Sequence, residues 1–284
     1  VNTPMLQVTD LTVEYVQGAR RPPFRAVDGV DFELAAGETL GLVGESGSGK
    51  STVAKALLRL VPTHRGRITF EGRDLTHLTG KDRRGLSSAI QVVFQDPYSS
   101  FNPARTIGDS LREMLRPQGI RDRSVAQARA AGLMERVGLD ASALDGYPGA
   151  FSGGQRQRIA IARALMVDPK LLICDEAVSA LDLSVQAQVI NLLRELQQER
   201  RISLLFISHD LTVVNHVSQR VMVLYKGRVM EAGDTDTVYS HPRHPYTRVL
   251  LDAVPMPDPD AQRRRRANRL LSQETPSAAQ GADA

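Results

Sequence analysis

Phe151 to Leu165 reads FSGGQRQRIAIARAL. Ser152, Gly153, Gly154 and Gln155 open a helix on which Ile159, Ile161, Ala162 and Leu165 set apolar side chains along one buried face. A helix start carries unpaired N–H groups and the positive end of the dipole, and two glycines let the backbone come close to an anion such as a γ-phosphate. Its complement lies upstream in GESGSGKST, that is Gly44, Glu45, Ser46, Gly47, Ser48, Gly49, Lys50, Ser51 and Thr52. Gly44, Gly49, Lys50 and Ser51 satisfy the pattern G, four residues, G-K-[ST], in which a bare backbone curls so that successive N–H groups point at phosphate oxygens. Lys50 then reaches the β- and γ-phosphates, and the Ser51 hydroxyl takes one position on magnesium. Together the two stretches describe an ATP-driven machine.

Three further strand ends narrow the chemistry. KLLICDEA, Lys170 to Ala177, reads as a buried strand of a parallel sheet that ends in two acids. Ligands sit at the carboxyl ends of such strands, so Asp175 is the magnesium residue, acting through water, and Glu176 the candidate general base. ISLLFISHD ends in the same way at His209, either a hydrogen-bond donor to the γ-phosphate or an ordinary polar residue at a strand end. Gln95, in VVFQDPY, has an amide able to ligate magnesium and orient a water, though Gln before Asp-Pro is also a plain turn.

The order Lys50, Gln95, Ser152, Asp175-Glu176, Asp182, His209 resembles the nucleotide-binding subunits of ABC transporters over about residues 5 to 254. The resemblance implies an α/β P-loop NTPase fold: a RecA-like core with an antiparallel β layer and an inserted helical subdomain. It implies ATP and Mg2+ as ligands, with Ser51, Gln95 and Asp175 on the metal and Glu176, His209 and Gln95 in catalysis. It further implies a head-to-tail dimer in which Ser152 to Gln155 close the partner's nucleotide and Asp182 crosses the interface. Tyr15 resembles the aromatic residue on which adenine stacks; a half-buried strand tyrosine is the plainer reading. Phe151 replaces the usual Leu of the signature and Ala177 the usual Pro after Glu, and neither change removes a catalytic group.

A finer resemblance rests on FQDPYSSFNPARTIGDSL, CDEAVSALDLSVQAQVINLLRELQ and HPRHPYTRVLLDAVPMPDP. These are similar to ATP-binding subunits of bacterial oligopeptide and dipeptide importers, of the peptide/nickel type, and CDEAVSALD is closer to the F-type paralogue. His244-Pro245-Tyr246 marks that group's C-terminal extension; Pro245 can also simply begin a helix and Tyr246 simply pack. The resemblance implies a second, paralogous ATPase, two transmembrane permease subunits, an extracytoplasmic solute-binding protein, and a peripheral place on the cytoplasmic face of the inner membrane. Peptides are the implied cargo, with nickel or glutathione as alternatives on the same motor, and a soluble ABC ATPase of ribosomes or DNA as the rival class. Some members carry an iron-sulfur cluster on clustered cysteines; the only cysteine here is Cys174, so no cluster is expected.

Composition agrees. The chain has 284 residues, 42% hydrophobic and 24% charged, with a net charge of +4. No apolar run approaches the roughly 20 residues of a membrane span. VNTPMLQVTDLTVEY lacks the basic and apolar regions of a signal peptide. Cys174, inside its strand, reads as a small buried hydrophobe. The RRRR run at Arg263–Arg266 is a solvated tail or a contact for lipid headgroups. Interleaved aromatics, zinc pairs and RNA-binding modules are missing, so no nucleic-acid partner is expected.

Along the chain, residues 1–96 and 168–235 form the ATP-binding core, 97–167 the helical subdomain and 236–284 the C-terminal extension. Short strands over 5–36 build the antiparallel layer, with hairpins turning at Glu71-Gly72 and Lys226-Gly227. Helices are expected at Lys50–Val61 and Val185–Arg200. The segment Asp96 to Ile107 is where the resemblance implies a groove for the membrane subunits.

Overall fold

TLGLV, LLICD and SLLFIS have no polar face, and such strands require a sheet covered on both sides. In the computed structural model, which describes residues 4–18, 22–78, 85–96, 100–179 and 181–253, every residue of these three strands is buried. They are β3 (Thr39–Val43), β7 (Leu171–Asp175) and β8 (Ser203–Ser208). With β6 (Ile90–Val93), β9 (Arg220–Tyr225) and β10 (Arg228–Asp234) they form a six-stranded sheet of order β10-β9-β3-β8-β7-β6. Neighbours from β9 to β6 run parallel; β10 returns antiparallel to β9.

Alternation along each strand divides the interior in two. Leu172, Cys174, Leu204 and Phe206 pack into one cluster with α4 (Gly153–Leu165), α5 (Leu183–Arg200) and α6 (Leu211–Val217). Leu171, Ile173, Leu205 and Ile207 pack into the other, under α1 (Lys50–Leu57) and the second sheet. That sheet has order β2-β1-β4-β5, from β1 (Leu6–Tyr15), β2 (Phe24–Leu34), β4 (Arg65–Phe70) and β5 (Arg73–Asp74). It is the expected antiparallel layer. Both expected hairpin turns are present, with φ of 48° and 76° at Glu71-Gly72 and 46° and 80° at Lys226-Gly227.

The expected helix Lys50–Val61 ends earlier, at Leu57. Arg59 adopts a left-handed φ of 57°, with its N–H on the Ala56 carbonyl (3.0 Å) and the Leu60 N–H on that of Lys55 (2.8 Å). This is a Schellman stop built without glycine. α5 starts two residues before the expected Val185, at Leu183.

Between β6 and β7 lie α2 (Ile107–Glu113), α3 (Arg123–Arg136) and α4. Thr106, Asp122 and Ser152 accept backbone N–H groups at their respective N-termini. Arg158 of α4 donates to the Val137 and Gly138 carbonyls (3.1 and 2.9 Å), placing a cation at the C-terminal end of α3. The chain continues past β10 through α7 (Thr235–Ser240) and α8 (Pro245–Asp252). Arg263–Arg266 lie outside the described residues.

Candidate active site at the edge of the parallel sheet

Because β3, β8, β7 and β6 are parallel neighbours, their carboxyl ends share one edge. Val43 is in register with Ser208, Asp175 with Ile207, and Val93 with Cys174. The loop at Gly44, the acids Asp175-Glu176, His209 and Gln95 therefore emerge side by side, as the sequence predicted.

Two glycines make the loop after β3 possible. A Cβ at Gly44 would collide with the Leu224 carbonyl oxygen, and one at Gly49 with that of Ala26. Both also have positive φ, 152° and 107°. The loop is tied down by the Ser48 N–H on the Glu45 carbonyl (3.1 Å) and by the Gly227 N–H on the Ser48 carbonyl (2.8 Å). Lys50 is buried at 5% exposure, with Nζ donating to the carbonyls of Gly44 (2.7 Å) and Glu45 (2.8 Å). An ammonium has three protons, so one donor remains for a phosphate. Burial lowers the Lys50 pKa, opposed by the charges of Glu176, Asp175 and Glu45.

Ser51 Oγ donates to Asp175 Oδ1 at 3.0 Å. Burial raises the Asp175 pKa, helped by the neighbouring Glu176 and opposed by the Ser51 bond. One hydroxyl and one carboxylate suit magnesium, which takes few protein ligands and completes its shell with phosphate oxygens and water. Among the described residues, no cluster of three or more His, Cys, Asp or Glu offers an all-protein metal cage. Cys174 is buried and its thiol is pushed up to about 12 by desolvation, which makes it an inert core residue as expected.

Glu176 turns the chain with a left-handed φ of 51°. Its N–H bonds the Ile207 carbonyl (2.9 Å), and its own carbonyl accepts from Ser179 Oγ (2.9 Å). The carboxylate, 15% exposed, comes within 3.4 Å of His209 Nδ1. Strained backbone held by surrounding bonds is common at reactive positions. Ala177, in the place of the resemblance's Pro, is 1% exposed. Gln95 is exposed beyond β6 on the same edge.

Other expected residues lie apart. Ser152 caps α4 in a reciprocal box, its N–H on Gln155 Oε1 (2.9 Å) and its Oγ accepting the Gln155 N–H (3.3 Å). Among the described residues no hydrogen bond joins 152–155 to the loop at 44–52. Gly154 faces Leu181, where a Cβ would sit at 3.4 Å from a methyl carbon. The Phe151 ring is accommodated by Gly146, whose Cβ would fall 2.8 Å from it. Asp182 caps α5 through the Val185 N–H (3.0 Å), a structural duty its motif did not disclose. Tyr15, 36% exposed, pairs with Phe24 at the open end of β1 and β2.

Sequence reasoning missed Gln157. It is fully buried in α4, donates from Nε2 to the Phe94 carbonyl (3.2 Å), one residue before Gln95, and among the described residues has no hydrogen-bond partner for Oε1. A polar residue on the apolar face that carries Ile161 was the available signal. Tyr246, of the His-Pro-Tyr marker, packs on Tyr225 with ring centroids 4.2 Å apart, the plainer of its two sequence readings, and its hydroxyl also accepts the Glu45 N–H at 3.3 Å.

The ABC transporter family model matches residues 27–179, more than half of the chain. The chain belongs to that family. A second model, described as the oligopeptide/dipeptide transporter C-terminal region, matches residues 230–281. Among relatives, the oligopeptide transport ATP-binding protein OppF of Salmonella typhimurium is 48% identical over 287 residues, covering 96% of this chain and 84% of that protein. A putative peptide import ATP-binding protein of Brucella ovis is 47% identical, covering 98% and 86%. The glutathione import ATP-binding protein GsiA of Pectobacterium atrosepticum is 48% identical over 96% of this chain but 44% of its own length. The solved dimer of the ATP-binding cassette MJ0796, in a post-hydrolysis state with ADP and Pi, superposes with a TM-score of 0.76 at 25% identity, covering 81% of this chain and 99% of that one. The fold is thus the ABC ATPase cassette.

Proposed function

We propose that this chain is the ATP-hydrolysing motor subunit of an ABC importer for di- and oligopeptides. The observation that carries the reading is the sheet edge itself, where Lys50 is buried beside the Ser51–Asp175 bond and Glu176 lies 3.4 Å from His209. Lys50 and the loop N–H groups bind the β- and γ-phosphates of ATP. Ser51 and Asp175, with Gln95, would hold magnesium, which when bound neutralises charge on the phosphate oxygens. Glu176 accepts a proton from the attacking water, and His209 orients the Glu176 carboxylate and the γ-phosphate. Tyr15 supplies the adenine platform.

The cassette acts as half of a head-to-tail pair. Ser152, Gly153, Gly154 and Gln155 present the start of α4 to the partner's γ-phosphate, and Asp182 stands near that interface. A paralogous ATPase, two permease subunits and a solute-binding protein complete the assembly at the cytoplasmic face of the inner membrane. Among the described residues no helix is long and apolar enough to cross a membrane; in this reading the permease subunits supply the span. The peptide cargo is supported by the relatives' names and the match of residues 230–281. Likeness to a glutathione import protein favours a second reading in which the same motor moves that tripeptide.

A pull-down of the chain from detergent-solubilised membranes of its own cell tests this. Recovery of two multi-span proteins with a second ATPase is expected. Recovery of ribosomal or DNA-repair proteins in their place would leave an ATPase without the transport role.

A further inference from the structure

The C-terminal extension touches the phosphate-binding loop. Glu231 of β10 accepts the N–H groups of Arg243 (2.8 Å) and His244 (3.0 Å), and His244 Nδ1 accepts the Tyr246 N–H (3.1 Å) at the start of α8. These bonds fix where Tyr246 stands. Its ring leans on Tyr225, the last residue of β9, whose neighbour Leu224 abuts Gly44. From there the Tyr246 hydroxyl accepts the Glu45 N–H at 3.3 Å.

The peptide that it meets is the one that seats the lysine. The Gly44 carbonyl, which accepts Lys50 Nζ at 2.7 Å, and the Glu45 N–H belong to the same amide plane. In a trans peptide these groups point to opposite edges. Tyr246 and Lys50 therefore hold that plane from its two sides, and either bond resists the rotation that would break the other. The residues matched by the cassette model end at 179, so this brace comes from outside them.

We propose that Tyr246 is a positioning residue for Lys50: by holding the Gly44–Glu45 peptide it sets the loop's affinity for ATP, and it makes the C-terminal extension part of the nucleotide site. The proposal rests on the reading of Lys50 as the phosphate-binding lysine. A hydroxyl on a half-buried ring is well suited to the task, since the ring supplies position through Tyr225 and the oxygen supplies the bond.

Tyr246→Phe keeps the ring and removes the bond. The test measures Mg-ATP binding by calorimetry, to millimolar ligand, for the full chain and for Tyr246→Phe, Lys50→Ala and the double variant. Tyr246→Phe is expected to weaken binding about two- to tenfold, the range of one such hydrogen bond, to raise KM for ATP with kcat little changed, and to have no further effect in the Lys50→Ala background. Unchanged affinity in Tyr246→Phe, with Lys50→Ala impaired, would overturn the proposal and leave the phosphate-loop reading standing. An equal loss with and without Lys50 would overturn it too, because the hydroxyl would then act independently of the lysine. Wild-type affinity in Lys50→Ala would refute the phosphate-loop reading, and the proposal with it.

Discussion

Replacing Gln157 by Leu separates what this side chain costs from what it does. The residue is fully buried and, among the described residues, has one hydrogen bond from Nε2 to the Phe94 carbonyl and no partner for Oε1. Losing the bond costs ~1 kcal/mol, while removing a buried acceptor without a donor recovers ~1–3 kcal/mol. The two offset, so Gln157→Leu should alter stability by no more than about 1–2 kcal/mol, or roughly 2–8 °C in melting temperature for a chain of this size. Gln157→Glu has nearly the same shape but puts a carboxylate in a fully buried place and removes the donor to the Phe94 carbonyl. A buried unpaired charge costs ~3–5 kcal/mol, so this variant should melt well below the Leu variant. Activity should follow a different order. Gln157 ties the signature helix α4 to the residue before Gln95, and loss of a bond of ~1 kcal/mol permits up to about a fivefold fall in ATP turnover even in the stable Leu variant. Thermal denaturation by circular dichroism, with a phosphate-release assay on the same samples, checks both. A Leu variant that unfolds as readily as the Glu variant would refute the offset, and full turnover in the Leu variant would refute the coupling.

Three other substitutions address the sheet edge. Glu176→Gln should keep ATP binding, lower turnover by a factor on the order of 10²–10⁴, and accumulate an ATP-bound dimer by size-exclusion chromatography; normal turnover would remove Glu176 as the base. Asp175 has a raised folded-state pKa, so its contribution to stability is full below the unfolded pKa and lost as pH rises through the folded one. Asp175→Asn should accordingly melt higher than wild type at neutral pH without nucleotide while losing magnesium-dependent ATP affinity, and a melting temperature at or below wild type would contradict the burial argument. Gly49→Ala faces a φ of 107° and the Ala26 carbonyl; left-handed strain of ~1–2 kcal/mol alone should lower the melting temperature and impair ATP binding, and wild-type values for both would show that the loop can relax.

The strands that build the edge could be read in advance because TLGLV, LLICD and SLLFIS are short, mostly apolar runs on both faces, and each run closes on or is followed by a residue that breaks the apolar pattern: Gly44, Asp175, His209. The signature helix was readable for the same reason, a cap residue followed by a periodic apolar face. What escaped was set by tertiary contact. Leu58, Leu60 and Val61 continue an apolar pattern beyond the end of α1, and only the left-handed turn at Arg59 stops the helix. Gln157 looked like one more polar residue in QRQR until the approach of Phe94 gave it a partner. The Tyr246 hydroxyl meets a loop 201 positions earlier in the chain, a distance over which no local pattern carries information.

The electrostatics of Lys50 and Asp175 give this geometry a direction. Burial disfavours the charge of each, lowering one pKa and raising the other. The partners supplied by the chain are mostly neutral: two carbonyls for the ammonium and one hydroxyl for the carboxylate, with Glu176 adding repulsion to Asp175. On the proposed reading, a phosphate beside Lys50 and a divalent cation beside Asp175 would each bring the opposite charge to a group that folding has already desolvated, so the cost of stripping water would have been met when the chain folded. Attraction in such a place is stronger than between solvated ions. The two ligands would also reinforce each other, because Lys50 and Asp175 lie at the two ends of one short path through Ser51, the residue that follows the lysine and donates to the acid. ATP should therefore bind far better with magnesium than without it, and Asp175→Asn should erase most of that difference while Lys50→Ala lowers both affinities. Equal affinities with and without magnesium in the unaltered chain would mean that Asp175 does not serve the metal.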